Sequence, residues 1–291
     1  MGLQLERHTF TLMIVPAAVT VLAIIVFPLL YTLWMAVQEY SMGANAAPRF
    51  LGLDNYVEAF NNQRFRETIP RTFYFTVLGV VGPAVLGTAA ALAFARQFPG
   101  RGLLRTVFSL PMMATPVSIA LIWQMMFHPQ LGVLNYFLSV IGISPQLWVY
   151  SPSSVIATLA IVETWQWTPF VMLIVLGGLA ALPSEPYEAA LIDGASRLQT
   201  IRYVTIPLVW PYIMTAVILR AIDALKSFDI IYVMTQGGPG TASETMNIFL
   251  YLQAFAFYNI GLSSAVVVIF FVLLLIMSVG LLVTRQKTSW Q

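Results

Sequence analysis

Apolar residues in this chain gather into long uninterrupted runs instead of alternating or recurring every third or fourth position. Six runs reach the roughly 20 residues that a helix needs to cross a bilayer: Thr9–Val37, Thr72–Ala95, Thr106–Phe127, Val155–Leu182, Tyr203–Leu225 and Leu262–Thr284. They predict an all-α integral membrane protein with six transmembrane helices, forming one transmembrane domain over residues 1–291. The first run follows Arg7 and far exceeds the ~7–15-residue core of a cleavable signal, so it reads as a retained span. Pro16 and Pro28 inside it are tolerable where neighbours satisfy the freed carbonyls. Gly87, Ala91 and Ala95 recur at every fourth position in the second run, a row suited to close helix packing.

The pattern breaks between the fourth and fifth runs, at "SEPYEAALIDGASRLQTIRYVTIP" (Ser184–Pro207). Ser184 is placed to cap a short helix whose first turn holds Glu185, Pro186 and Glu188. Gly194 is placed to end it. A second helix follows, with Leu198, Ile201 and Thr205 on one stripe and Arg197 and Arg202 outside it. This loop, residues 184–206, reads either as an amphipathic connector on the membrane surface or as a docking element. In the second reading Ala189 and Ala190 form a narrow ridge, flanked by acids, that enters a groove on a partner.

Composition narrows the class. Hydrophobic residues make up 59% of the chain and charged ones 9%, against roughly 25% in a soluble domain, so lipid is the main solvent. The net charge of +2 is too small and scattered for nucleic acid. Cysteine is absent, which excludes disulfides, thiolate metal sites and cysteine nucleophiles. The two histidines, His8 and His128, build no metal site or acid–base pair, and neither H-E-x-x-H nor G-x-S-x-G occurs. His128-Pro129 ends the third run.

Lysine and arginine set the orientation. With the N-terminus inside, Arg7, Arg96, Arg101, Arg105, Arg197, Arg202, Arg285 and Lys287 face the cytoplasm. Arg49, Arg64, Arg66, Arg71 and Lys226 face outward, and Arg220 lies within a span. Eight against five, with four of the five in one loop, places both termini and the 184–206 loop inside.

The segment Glu188-Ala189-Ala190 to Asp193-Gly194, followed by Ile206-Pro207, resembles the EAA loop of permease subunits of ABC importers. Further blocks resemble the carbohydrate-uptake branch, of maltose, glycerol-phosphate and trehalose type. They are "FLGLDNYVEAF" (Phe50–Phe60), "SLPMMATPVSIALIWQMMF" (Ser109–Phe127), "GGLAALPSEPYEAALIDGAS" (Gly177–Ser196), "FDIIYVMTQGGP" (Phe228–Pro239) and "AFAFYNIGLSSA" (Ala254–Ala265). The "TQGGP" block is similar to the subunit type that contacts the sugar in the maltose branch. Pro70-Arg71-Thr72 departs from the usual asparagine before the threonine, which bears on where the second span starts.

The resemblance implies a type I importer permease fold and four kinds of partner. These are a second permease subunit, two cytoplasmic ATPase subunits, an extracytoplasmic sugar-binding protein and the carbohydrate itself. It implies that Tyr187, Glu188, Ala189, Ala190, Asp193, Gly194 and Arg197 form the coupling element, with Glu188 meeting a basic residue of the ATPase. No G-x-x-x-x-G-K-[ST] is present, so the chain cannot cradle ATP, and ATP-Mg would be bound by the partner ATPase. The chain itself is expected to hold no cofactor and to catalyse nothing, and to reside in a bacterial cytoplasmic membrane.

Polar residues inside the spans are the candidate substrate contacts, because charge at bilayer depth faces a cavity or a partner. Glu163, Gln166, Trp167 and Phe170 share one face of the fourth span, and Arg220, Asp223, Ala224 and Ser227 repeat that spacing in the fifth. Lys226 and Asp229 lie nearby. Hydroxyls take such polar groups and sugar C–H faces stack on rings. Alternatively, Arg220 pairs with Asp223 or Glu163 only to neutralise charge. Trp165 reads as packing or a lipid anchor. Asp54–Phe65 and Thr245–Tyr258 read as short interfacial helices, in which Met246, Phe249, Tyr251, Phe255 and Tyr258 either contact a delivering protein or anchor at the interface. An ion-coupled secondary transporter is the competing class, and it would show internal repeats with interrupted helices.

Overall fold

A computed structural model describes residues 13–43 and 47–288, with side chains to residue 285. Arg7, His8 and the first residues of the Thr9–Val37 run therefore lie outside the described residues, as does the side chain of Lys287. Helices α1 (Met13–Met35), α2 (Asp54–Asn61), α3 (Gln63–Phe94), α4 (Arg101–Met113), α5 (Pro116–Met126), α6 (Val133–Val140) and α7 (Val155–Ala180) follow in order. After them come α8 (Glu185–Ile192), α9 (Arg197–Leu225), α10 (Asp229–Thr235), α11 (Met246–Ala256) and α12 (Ile260–Thr288). A two-residue antiparallel pair, β1 (Gln38–Glu39) with β2 (Arg49–Phe50), joins Gln38 to Phe50 and Glu39 to Arg49.

Among the described residues, α1, α3, α7, α9 and α12 are each long and apolar enough to cross a bilayer. The third predicted span differs: Thr106–Phe127 is not one helix but α4 and α5, bent by 96°. Thr115 causes the break, since its extended backbone starts α5, Pro116 takes the first helical position, and the Thr115 hydroxyl accepts from the Ser118 N–H at 3.4 Å. The bent pair supplies the sixth span when counted as one. The second span also starts earlier than Thr72, because α3 continues through Pro70 from Gln63.

Two widened π-helical turns share a cause. Leu22–Val26 and Ile201–Thr205 each end two residues before a proline, Pro28 and Pro207. A proline ring clashes with the carbonyl four residues back, and a wider turn relieves that clash.

The chain divides into two compact units. The first comprises the described part of Met1–Arg66 with Phe249–Val272. Its strand pair is anchored by Asn55, whose buried amide donates to the carbonyls of Ala36 (3.0 Å) and Gln38 (2.8 Å). Phe65 and Phe249 meet ring to ring at 5.4 Å. The most apolar stretch of α1 is wholly unburied, as suits a helix whose solvent is lipid.

The second unit, Glu67–Ile248 with Leu273–Gln291, contains the candidate site. Its core joins α3, α7 and α9 through Ala91, Val171, Met172, Val175, Val209, Ile213 and Ala216. The small-residue row on α3 works where it meets α7: a Cβ on Gly87 would lie 2.7 Å from that of Val171 and 2.8 Å from the Thr168 carbonyl, and Ala91 is fully buried. Ala95, the last of the row, is exposed.

Candidate functional site

Arg220 is a charge only 1% exposed, and α9 carries it into the space between α7 and α3. Its Nη2 donates to Glu163 Oε1 at 2.6 Å, with the acid itself 2% exposed. The same nitrogen stands 3.5 Å from the carbonyl of Gly79. That carbonyl is available because Pro83, four residues on, has no N–H to give it. The guanidinium also lies 4.6 Å from the centre of the Trp167 ring. One side chain on α9 thus ties α7 and α3 together by charge, backbone and aromatic face.

Around this hub is a cavity of about 160 Å³ lined by Glu163, Gln166, Trp167, Arg220, Asp223 and Ser227, six of the residues that helical spacing singled out. Lys226 and Asp229 line it as well, and Lys226 lies 3.6 Å from Asp223. Arg220 Nε and Nη1 and Gln166 Oε1 are buried without a hydrogen-bond partner among the described residues. These are two donors and an acceptor whose hydrogen-bonding capacity no described residue meets.

Two predicted residues are not brought to the cavity. Phe170 packs on the α3–α7–α9 core and meets Trp167 edge to face at 6.0 Å. Ala224 turns to Val80 and Ala221. Phe170 stands at the far end of its face, where α7 packs on the core, whereas Ala224 lies between Asp223 and Ser227 but packs toward α3. Conversely, Pro116, Phe228 and Ile230 line the cavity and were not foreseen. They arrive through the α4–α5 bend and through α10, which Gln124 fastens to α5 by donating to the Met234 carbonyl at 3.2 Å. Trp165 is 45% exposed and meets Trp123 edge-on at 5.5 Å, in keeping with packing. Met246 and Phe249 are fully buried and so offer no surface to another protein, whereas Phe255 and Tyr258 are exposed.

The 184–206 loop forms the second candidate site. Helix α8 starts after Ser184, but the Ser184 side chain makes no capping bond because its backbone is already helical. The other end is as predicted. Gly194, at φ +70°, allows the Ala195 N–H to reach the Ala190 carbonyl (2.9 Å) and its own N–H to reach Leu191 (3.1 Å), a Schellman cap. A capping box went unnoticed in the sequence as Ser-x-x-Gln: Ser196 Oγ accepts from Gln199 N, and Gln199 Oε1 accepts from Ser196 N at 2.7 Å.

The ridge is narrower than expected. Glu188, Ala189, Asp193 and Gly194 are exposed, but Ala190 is turned inward. Beside it stand Leu191 and Ile192, 79% and 87% exposed, which the reading by acids and alanines overlooked. Leu198 is likewise exposed and lies off the buried stripe, because the π turn that follows shifts the periodicity; Thr205 is buried. Tyr187 and Arg197 line a cavity of about 550 Å³ with Arg96 and Leu191.

Lipid-spanning helices around a polar cavity, with an exposed broken-helix loop, define a multi-pass membrane permease subunit. Residues 84–288 match the family of binding-protein-dependent transport system inner membrane components, and the chain belongs to that family. It is 38% identical to the trehalose/maltose transport system permease protein MalF of Thermococcus litoralis over 267 residues, 91% of this chain and 89% of the relative. The sulfoquinovosyl glycerol transport system permease protein SmoG of Agrobacterium fabrum is 33% identical over 284 residues, 97% and 92% of the two chains. A bacterial alginate ABC transporter, solved in complex with an alginate pentasaccharide-bound periplasmic protein, superimposes with a TM-score of 0.86 at 20% identity, covering 99% of this chain and 98% of that one. The architecture is therefore that of a type I ABC importer permease, a transport subunit and not an enzyme.

Proposed function

We propose that this chain is the pore-forming permease domain of an ATP-driven sugar importer, with a second permease subunit beside it, two cytoplasmic ATPase subunits beneath it and a sugar-binding protein outside. The exposed tip of α8 carries this reading. Glu188, Ala189, Leu191 and Ile192 offer an acid and three apolar side chains to solvent, held at a fixed angle by the Gly194 cap. Such a surface suits helix-into-groove docking. Tyr187, Ala190, Asp193, Gly194 and Arg197 shape and orient it. ATP-Mg would sit entirely on the ATPase subunits, and their closure would draw α8 toward its counterpart and rock the spans between outward and inward access.

The sugar path follows Glu163, Gln166, Trp167, Arg220, Asp223 and Ser227. A solute hydroxyl accepting from Arg220 and donating to Gln166 Oε1 satisfies groups that otherwise lack partners, while Trp167 offers a stacking face. The relatives' trehalose, maltose and sulfoquinovosyl glycerol support a glycosidic solute. Both termini lie on the cytoplasmic side of the inner membrane, by the bias of lysine and arginine. Purification from mild detergent, with mass spectrometry and an ATPase assay, tests this. A co-purifying Walker-A subunit and second permease, with hydrolysis stimulated by a sugar-loaded binding protein, is the expected result. A lone chain that moves solute under an ion gradient would overturn it.

A further inference from the structure

At the end of the spans nearest the 184–206 loop is a cavity of about 330 Å³ that the sugar path does not use. Arg101 and Arg105, on the first two turns of α4, form one side, and Phe94, Leu173, Leu176 and Leu179 form the rest. No aspartate or glutamate lines it. Neither arginine has an ion pair among the described residues; Arg101 Nη1 makes only a long bond to the Arg96 carbonyl, 3.4 Å. Two like charges four apart on a helix repel each other, so an anion between them is favoured. The floor, however, is apolar, which a soluble anion has no use for.

The outer face of α4 supplies an independent indication of what the occupant is. Leu103, Leu104, Val107 and Leu110 are all more than half exposed, so the helix is basic at its start and apolar along its outer side. Helix α4 thereby presents to lipid what headgroups and acyl chains respectively favour. Basic pockets between spanning helices, at the headgroup level, receive anionic lipids.

We propose that Arg101 and Arg105 bind the phosphate of an anionic phospholipid, whose acyl chains run along the apolar floor and the outer face of α4. The ligand is a phosphodiester headgroup such as phosphatidylglycerol, and the site is distinct from both the sugar path and α8.

The test is native mass spectrometry of the full chain with its co-purifying subunits, after equilibration with equal amounts of phosphatidylglycerol and phosphatidylcholine. Each arginine at the surface favours the anionic lipid by about fivefold. Phosphatidylglycerol should therefore be retained on the order of twentyfold over phosphatidylcholine, and Arg101→Gln/Arg105→Gln should bring the two near parity. Millimolar inorganic phosphate should fail to displace the retained lipid. Equal retention of both lipids by the parent chain would overturn the proposal, as would unchanged preference in the double variant or displacement by phosphate, which would mark a soluble-anion site. Loss of the ATPase subunits from the double variant with lipid preference intact would assign the arginines to that partner instead. Should the double variant fold poorly, Arg105→Gln alone, at an exposed position, should still lower the preference about fivefold.

Discussion

Arg220 reaches the Gly79 carbonyl that Pro83 leaves without its intrahelical donor, at 3.5 Å, while holding Glu163 at 2.6 Å. A proline in one span thus prepares an acceptor for a charge in another, and the backbone of α3 becomes part of the polar hub. Within that hub, charge neutrality and transport make separable predictions. Removing one partner strands the other in the low-dielectric interior, at a cost of about 3–5 kcal/mol. Arg220→Met or Glu163→Leu alone should therefore lower the detergent melting temperature markedly. The double variant should recover most of that stability, because apolar replacement of both members of a buried pair is close to neutral. If the hub also contacts solute, the recovered double variant will still fail in uptake. Normal uptake by it would reduce the pair to a structural brace.

Trp167 tests the solute path from another side. Its ring covers the Arg220 guanidinium at 4.6 Å and lines the cavity. A desolvated cation–π contact contributes about 1–2 kcal/mol, so Trp167→Ala should cost roughly five- to thirtyfold in uptake driven by the loaded binding protein. Trp167→Phe should restore part of it. Phe170→Ala, which only packs on the core, should instead lower melting temperature and leave the concentration dependence of uptake in place. Equal effects of the two alanine variants on that dependence would move Trp167 to packing.

Much of this organisation is legible in the sequence, and the exceptions have physical causes. Run length located the long apolar helices, and period 3.6 put Glu163, Gln166 and Trp167 on one face because a long helix keeps its phase. The same rule did not separate off Phe170, where the face outruns a small cavity, or Ala224, a small side chain taken up by the packing of α9 on α3. The 96° bend at Ala114–Thr115 was hidden because both halves are apolar and hydropathy does not record direction; Thr115-Pro116 was the available sign. Pro116, Phe228 and Ile230 reach the cavity only through tertiary contact, which no local pattern encodes. At the loop, Gly194 was readable as a cap, but the exposure of Leu191 and Ile192 was not, because a two-turn helix is too short for its periodicity to mark which side packs.

Close packing of α3 on α7 carries a stability prediction. A Cβ at Gly87 would meet the Thr168 carbonyl at 2.8 Å, and backbone cannot rotate away as a side chain does. Overpacking of this kind costs about 1–3 kcal/mol. Gly87→Ala should lower the melting temperature of the purified complex, and Gly87→Leu should prevent assembly. Gly280, with open space around its Cα, serves as the control: Gly280→Ala should be silent. A silent Gly87→Ala would mean that α3 and α7 are further apart than described.

The coupling role of α8 separates into charge, apolar contact and angle. Glu188 is exposed, so Glu188→Lys should leave membrane insertion and melting unchanged while ATPase subunits are lost on purification and uptake stops. Ile192→Ser removes apolar contact at the most exposed point of the helix and should weaken co-purification without abolishing it. Gly194→Val acts differently, since it forces a β-branched residue to φ +70° and costs about 1–2 kcal/mol where the backbone stays put. The helix end would then fray and tilt, so ATPase subunits should still bind while uptake falls, hydrolysis being uncoupled from transport. Measuring co-purification, hydrolysis and uptake on all three variants distinguishes these outcomes. Full uptake in Glu188→Lys would remove α8 from the coupling path, whatever the other two variants do.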